Sequence, residues 1–129
     1  MLDNIHILVV DDAEYSRSMA LAMLRSIGFY TLSEADDGIV ALKAIRTGDV
    51  NLVLLDVVMP NMTGLEVLRE VRADTAIAHL KIILVTAAAD AKTILAARHA
   101  ETRADAVIVK PFSVATLQQK ILAVTNNMA

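Results

Sequence analysis

No cysteine occurs among the 129 residues of the chain, which removes disulfides, thiolate catalysis and cysteine-based metal sites. Aromatic residues are few: Tyr15, Phe29, Tyr30 and Phe112 offer little surface for stacking nucleic-acid bases. Nor is there an excess of positive charge. Twelve basic against fifteen acidic side chains leave a net charge of -3, a poor attractor for a phosphate backbone. Direct nucleic-acid binding is therefore not expected. His6, His79 and His99 show no metal-ligand spacing. No apolar run approaches membrane-spanning length, and the N-terminus enters a strand-like run too soon to hold a leader. The expectation is a cytoplasmic protein without membrane contact. Its length and a hydrophobic content of 56% suit one compact unit over residues 1–129.

What is present is alternation. Short β-branched runs give way to longer segments of helical period, the pattern of a parallel sheet with helices on both sides. The runs are His6 to Val10, Tyr30 to Ala35, Leu52 to Leu55, Lys81 to Val85 and Val107 to Val109. Between and after them, five helical segments are expected. Met19, Met23 and Ile27, with Ala20 and Leu24 alongside, mark the first, and Gly28 ends it. Ile39, Leu42 and Ile45 mark the second, and Leu65, Leu68 and Val71 the third, whose Arg69, Glu70 and Arg72 read as a solvated face. The Ala-rich stretch from Asp90 to Ala100 has high helix propensity but a thin apolar stripe, and Ser113 caps a last helix carrying Val114, Leu117, Ile121 and Val124. The fold class is α/β: a doubly wound, five-stranded parallel sheet of order 2-1-3-4-5 flanked by five helices, a flavodoxin-like arrangement.

In such a sheet, ligands sit beyond the carboxyl ends of the strands, where the winding reverses beside strands one and three. Asp11 and Asp12 follow the first run, Asp56 the third, Thr86 the fourth, and Lys110 the fifth. Any one of these alone is an ordinary solvated or capping residue. Together they form one rim. Two carboxylates about 5 Å apart at an effective dielectric of about 20 repel by about 3 kcal/mol, so three of them need a cation. Hard oxygen donors with room for water suit Mg2+, or Mn2+ in its place, better than zinc. Lys110 adds one further positive charge.

Four segments then carry a resemblance over nearly the full length: Val9-Val10-Asp11-Asp12, Asp56 through Glu66, Val85-Thr86-Ala87 and Lys110-Pro111-Phe112. The chain resembles a response regulator receiver domain of two-component phosphorelays, of the stand-alone, chemotaxis-regulator type. The resemblance implies that Asp56 is the phosphoacceptor, taking a phosphoryl group from a sensor histidine kinase or histidine phosphotransfer domain. It further implies that Asp12, Asp56 and the backbone carbonyl of Val58 bind Mg2+ directly, that Asp11 does so through water, and that the Lys110–Pro111 bond is cis. Thr86 and Lys110 would contact the phosphoryl oxygens, with the small Ala87 leaving them accessible. Tyr15, Ser16, Met19 and Phe112 lie where the family docks its phosphodonor. Such a protein is not an enzyme in the ordinary sense, although it assists its own phosphorylation and dephosphorylation. It signals through a downstream protein target, as a monomer or a weak phosphorylation-dependent dimer.

Departures from the family pattern matter too. Where many receivers carry Tyr or Phe three residues before the lysine, this chain has Val107. A valine has no ring to swing, so the usual coupling from threonine to aromatic is in doubt, and a shift of the Ala-rich helix is one substitute. Val58 and Ala88, two residues beyond Asp56 and Thr86, cannot orient a hydrolytic water by a side-chain hydrogen bond, and a long-lived phosphoaspartate is expected. The last expected helix nearly reaches Ala129, which favours a stand-alone switch over a receiver excised from a longer regulator. A phosphorylation-independent binding module is another alternative. A phosphatase of the haloacid-dehalogenase type would need a second Asp where Val58 stands, and a dinucleotide site would need a GxGxxG turn that is missing after the first run.

Overall fold

A computed structural model describes residues 4–89 and 103–126. Five strands, β1 (Ile7–Val10), β2 (Leu32–Ala35), β3 (Leu52–Asp56), β4 (Lys81–Ala87) and β5 (Ala106–Lys110), form one parallel sheet in the order β2-β1-β3-β4-β5. The described helices are α1 (Glu14–Ile27), α2 (Gly38–Arg46), α3 (Gly64–Ala73) and α4 (Val114–Thr125). The helix expected over Asp90 to Ala100 lies outside the described residues. None of the described helices is long and apolar enough to cross a membrane.

Strand periodicity divides the core in two. Leu8, Val10, Val53, Leu55, Ile82, Leu84 and Val107 pack with Ala41, Leu42 and Ile45 of α2 and Val67, Leu68 and Val71 of α3. The alternate residues Ile7, Val9, Leu52, Leu54, Ile83, Val85 and Ile108 pack with Ala20, Leu21 and Leu24 of α1 and Leu117 and Ile121 of α4. Both faces of the sheet are therefore covered, as the apolar runs require.

Several boundaries and faces differ from expectation. After α1, Gly28 at φ 120° closes the helix, and the Phe29 N–H bonds back to the Leu24 carbonyl. Phe29 thereby plugs the α1 half-core while Tyr30 stays exposed, so β2 begins at Leu32 rather than Tyr30. The helical stripes are partly displaced: Met19, Ile39 and Val114 are exposed, while the expected Ala20, Leu24, Leu42, Ile45, Leu117 and Ile121 are buried and Ala41 joins them. Strand β4 runs two residues past Val85, placing Thr86 inside it.

Arg72 corrects the picture of a solvated α3 face. Its guanidinium folds over the amino end of the sheet and donates to the carbonyls of Ala78 at 2.9 Å and Leu80 at 2.6 Å. It reaches the Arg103 carbonyl twice, at 3.2 and 3.1 Å, and Asp105 Oδ2 at 3.0 Å. Those five bonds match the five N–H donors of arginine. Asp105 Oδ2 also accepts from the Ile82 N–H at 2.7 Å, so one ion pair ties α3 to the starts of β4 and β5. Before β1, the His6 ring contacts Ser33 Oγ and the Asp49 carbonyl, while the His6 N–H donates to Asn51 Oδ1 at 2.7 Å.

Candidate functional site

The site is built at the opposite end of the sheet, where β1, β3 and β5 deliver their last residues. Asp11 leaves β1 with its N–H still paired to the Ala35 carbonyl. Its Oδ1 accepts from the Ala13 N–H at 2.9 Å, a local turn that sends the chain into α1. Arg17, one turn along α1, donates to the Asp11 carbonyl at 2.7 Å and pairs with Glu34 on β2 at 2.7 Å. The β1–α1 connection is thus held from two sides.

Asp56 ends β3, and the loop beyond it is pinned close. The Val57 N–H bonds to the Val85 carbonyl at 3.0 Å, and the Gly64 N–H returns to the Val57 carbonyl at 2.9 Å. Any Cβ at Gly64 would collide with the backbone carbonyl of Asp56 and sit 2.9 Å from Val57 Cα, so only glycine lets α3 start this near the carboxylate. Asn61 takes φ 69° at the loop tip. Thr63 and Glu66 then form a reciprocal capping box, each bond 3.2 Å, that fixes the start of α3.

Asp11 and Asp56 are buried and Asp12 is exposed, and one carboxylate oxygen from each lies within 4.8 Å of the others. The Lys110 ammonium stands 3.1 Å from Asp11 Oδ2 and 3.6 Å from Asp56 Oδ2. The Lys110–Pro111 bond is cis. Burial pushes the Asp56 carboxyl up; Lys110 opposes that, Asp11 and Asp12 reinforce it, and the result is a value of about 6. For Asp11 the balance reverses. Burial alone would raise it, but hydrogen bonds from Ser16, the Ala13 N–H and Lys110 hold it below the ordinary carboxylate value. A single ammonium leaves the cluster with unmatched negative charge. Three hard oxygen donors, one facing solvent where water can complete a shell, fit a divalent cation of the magnesium type.

The structure thus brings Asp11, Asp12, Asp56 and Lys110 together. Thr86 lies on the same rim, 1% exposed, its hydroxyl donating to the Ala87 carbonyl at 3.4 Å, and Ala87 is exposed beside it. The Val58 side chain points outward at 66% exposure. Val107 is not part of the site: it is packed in the half-core of α2 and α3. Phe112 is partly buried against the other half-core and joins Tyr15, Met19, Met23 and Pro111 in lining a groove of about 220 Å3, where the Tyr15 ring is largely exposed. Arg17 was not legible as a site residue, and Ser16 was expected only at the phosphodonor's docking face. Arg17 steadies Asp11, and Ser16 Oγ lies 3.2 Å from Lys110 Nζ. Only their position in the first turns of the helix after the two aspartates hints at either.

Comparison with known proteins agrees with this geometry. Residues 7–122 match the response regulator receiver domain family. The chemotaxis protein CheY-3 of Vibrio cholerae is 40% identical over 118 residues, which cover 92% of this chain and 89% of that protein. The chemotaxis protein CheY of Pseudomonas aeruginosa is 40% identical over 115 residues, 89% of this chain and 91% of the relative. Among solved structures, the receiver domain of a Pseudomonas aeruginosa sensor histidine kinase, with a magnesium ion coordinated in its active-site cleft, superposes with a TM-score of 0.83 at 28% identity. That match covers 96% of this chain and 99% of the other. Vibrio cholerae CheY4 superposes with a TM-score of 0.81 at 28% identity, covering 93% of this chain and 98% of the other.

Proposed function

The chain belongs to the family of response regulator receiver domains, the phosphoacceptor switches of two-component signalling, and from that premise we propose that Asp56 is its phosphoacceptor. The observation that carries this reading is the placement of Asp56: a buried strand-end carboxylate that shares a 4.8 Å cluster with Asp11 and Asp12 and has a lysine ammonium 3.6 Å away.

In the proposed reaction an Asp56 carboxylate oxygen attacks the phosphorus of a phosphohistidine. The new P–O bond makes an acyl phosphate as the P–N bond breaks and the leaving imidazole takes up a proton. Such transfer depends on alignment and on neutralising the phosphoryl oxygens more than on covalent help. Asp12, Asp56 and the Val58 carbonyl would hold Mg2+ directly and Asp11 would hold it through water, with Mn2+ as a substitute. When bound, the cation supplies charge neutralisation for the phosphoryl oxygens. Lys110 contributes a second positive charge, and Thr86 turns its hydroxyl from the Ala87 carbonyl to a phosphoryl oxygen. Ala87 leaves the approach open. In this sense the protein assists its own phosphorylation and dephosphorylation without being an enzyme in the ordinary sense.

The donor is a sensor histidine kinase or a histidine phosphotransfer domain docking over Tyr15 and Phe112, and the output is contact with a downstream protein. In this reading residues 1–129 form one receiver domain, working in the cytoplasm and monomeric or weakly dimeric when phosphorylated. Val107, already packed in the core and without a ring, cannot carry the signal by an aromatic swing. The alternative route through the Ala-rich segment from Asp90 to Ala100 lies outside the described residues. With apolar Val58 and Ala88 beside the phosphate, the phosphoaspartate is expected to last for minutes, and loss within seconds in a phosphate-release assay would remove that expectation.

Intact-protein mass after incubation with acetyl phosphate tests the central claim. A Mg2+-dependent gain of one phosphoryl group that Asp56→Asn abolishes is expected. A gain that survives in Asp56→Asn would move the acceptor elsewhere.

A further inference from the structure

Among the described residues, Lys110 is the one cation within ion-pair reach of the acidic cluster. Where its three N–H donors point therefore decides how the cluster is shared. The ammonium is within hydrogen-bond distance of Asp11 Oδ2 at 3.1 Å and of Ser16 Oγ at 3.2 Å, but stands off from Asp56 Oδ2 at 3.6 Å. Ser16 comes from the first turn of α1, is half-buried, and lines a cavity of about 20 Å3 with Asp11, Asp56, Lys110 and Phe112. A hydroxyl can donate once and accept twice. Here it accepts from Lys110 and helps hold the Asp11 carboxyl low, so it sits against the same pair that the lysine joins.

Without the hydroxyl, Lys110 would lose its neutral acceptor on the α1 side, and the nearest remaining acceptor for the freed donor is Asp56. A hydrogen bond there would occupy an oxygen that has to attack phosphorus. We propose that Ser16 is a positioning residue that holds the Lys110 ammonium on the Asp11 side, keeping the Asp56 oxygen unmasked and the lysine ready for an incoming phosphoryl group. The consequence for transfer rests on the reading of Asp56 as phosphoacceptor. The resting contact does not.

Proton–nitrogen correlation spectra of lysine ammonium groups read that contact in the unphosphorylated protein, with Lys110 assigned by the signal lost in Lys110→Arg. Ser16→Ala is expected to shift the Lys110 resonance and speed its proton exchange, and Ser16→Thr, which keeps the hydroxyl, is expected to restore both. An unaltered Lys110 signal in Ser16→Ala overturns the proposal. The second readout is the rate of phosphorylation by acetyl phosphate at saturating Mg2+. Loss of one hydrogen bond predicts a decrease of about 3- to 10-fold in Ser16→Ala, rescue by threonine, and no further decrease in a Lys110→Met background. An undiminished rate in Ser16→Ala, or an equal decrease without the lysine, would show that Ser16 does not act through Lys110. Should the natural chain accept no phosphoryl group at all, the reading of Asp56 fails, and the ammonium spectra still decide the contact.

Discussion

At the amino end of the sheet one guanidinium is surrounded by acceptors; at the carboxyl end three carboxylates share one ammonium. Arg72 uses five hydrogen bonds on four groups, the carbonyls of Ala78 and Leu80 just beyond α3 and, from the segment before β5, the Arg103 carbonyl and Asp105. Among the described residues, Lys110 is the one cation that the same sheet sets within ion-pair reach of the cluster of Asp11, Asp12 and Asp56. A half-buried charge with all its donors satisfied holds chain segments together, whereas buried charges left partly uncompensated store a demand for a cation. The difference separates the end that stabilises the fold from the end that does its chemistry.

The sharpest way to break this comparison is Arg72→Ala. It is expected to cost about 3 kcal/mol or more in urea unfolding, because it removes at once the hydrogen bonds to the Ala78, Leu80 and Arg103 carbonyls and the ion pair to Asp105. Phosphorylation of the folded fraction by acetyl phosphate should stay within about twofold of the natural rate, the two sites being at opposite ends. Next in size is cation linkage. Mg2+ at about a hundred times its dissociation constant should stabilise the natural chain by about 2.7 kcal/mol, and Asp56→Asn should lose most of that gain in thermal melts.

Without Mg2+, Asp56→Asn should itself be stabilising. The carboxyl titrates at about 6 in the fold against an ordinary 3.8, so the folded protein binds the extra proton and stability falls as pH rises through that interval. Removing the charge is therefore expected to gain about 2 kcal/mol above pH of about 7, with the gain fading toward a pH of about 4. Unfolding curves at both ends of that range check the sign. The smallest effect is expected for Glu34→Gln. Its partner Arg17 keeps the Asp11 carbonyl, and the pair sits on an exposed glutamate, so the loss should be about 0.5 kcal/mol or less, with no change in phosphorylation rate.

Much of this division was legible in the chain. Continuous apolar runs ending in Asp, Asp, Thr and Lys announced both the parallel sheet and its polar rim, because a strand buried on both faces tolerates polar groups only at its ends. The helical faces were read less well. Met19, Ile39 and Val114 satisfy an apolar spacing yet point outward, since the angle at which a helix sits on the sheet, not its sequence period, chooses which side is covered. Arg72 gave no local sign of its role. It adjoins the buried Val71 on a helix that looks solvated on that flank, and two of its acceptors, Arg103 and Asp105, are brought to it only by the tertiary fold. Ser16 was legible only as part of the docking face, not as a partner of Lys110, which is 94 residues away in sequence.

The extension of β4 to Ala87 has a mechanical consequence. Thr86 is in register with Val109, and Ala87 with Lys110, so the hydroxyl and the amine are not mounted on independent loops. They ride on adjoining tips of a single ribbon. On the proposed reading, a pull on Thr86 by a phosphoryl group would pass through that ribbon to Lys110 and load two strands at once, without any ring having to turn.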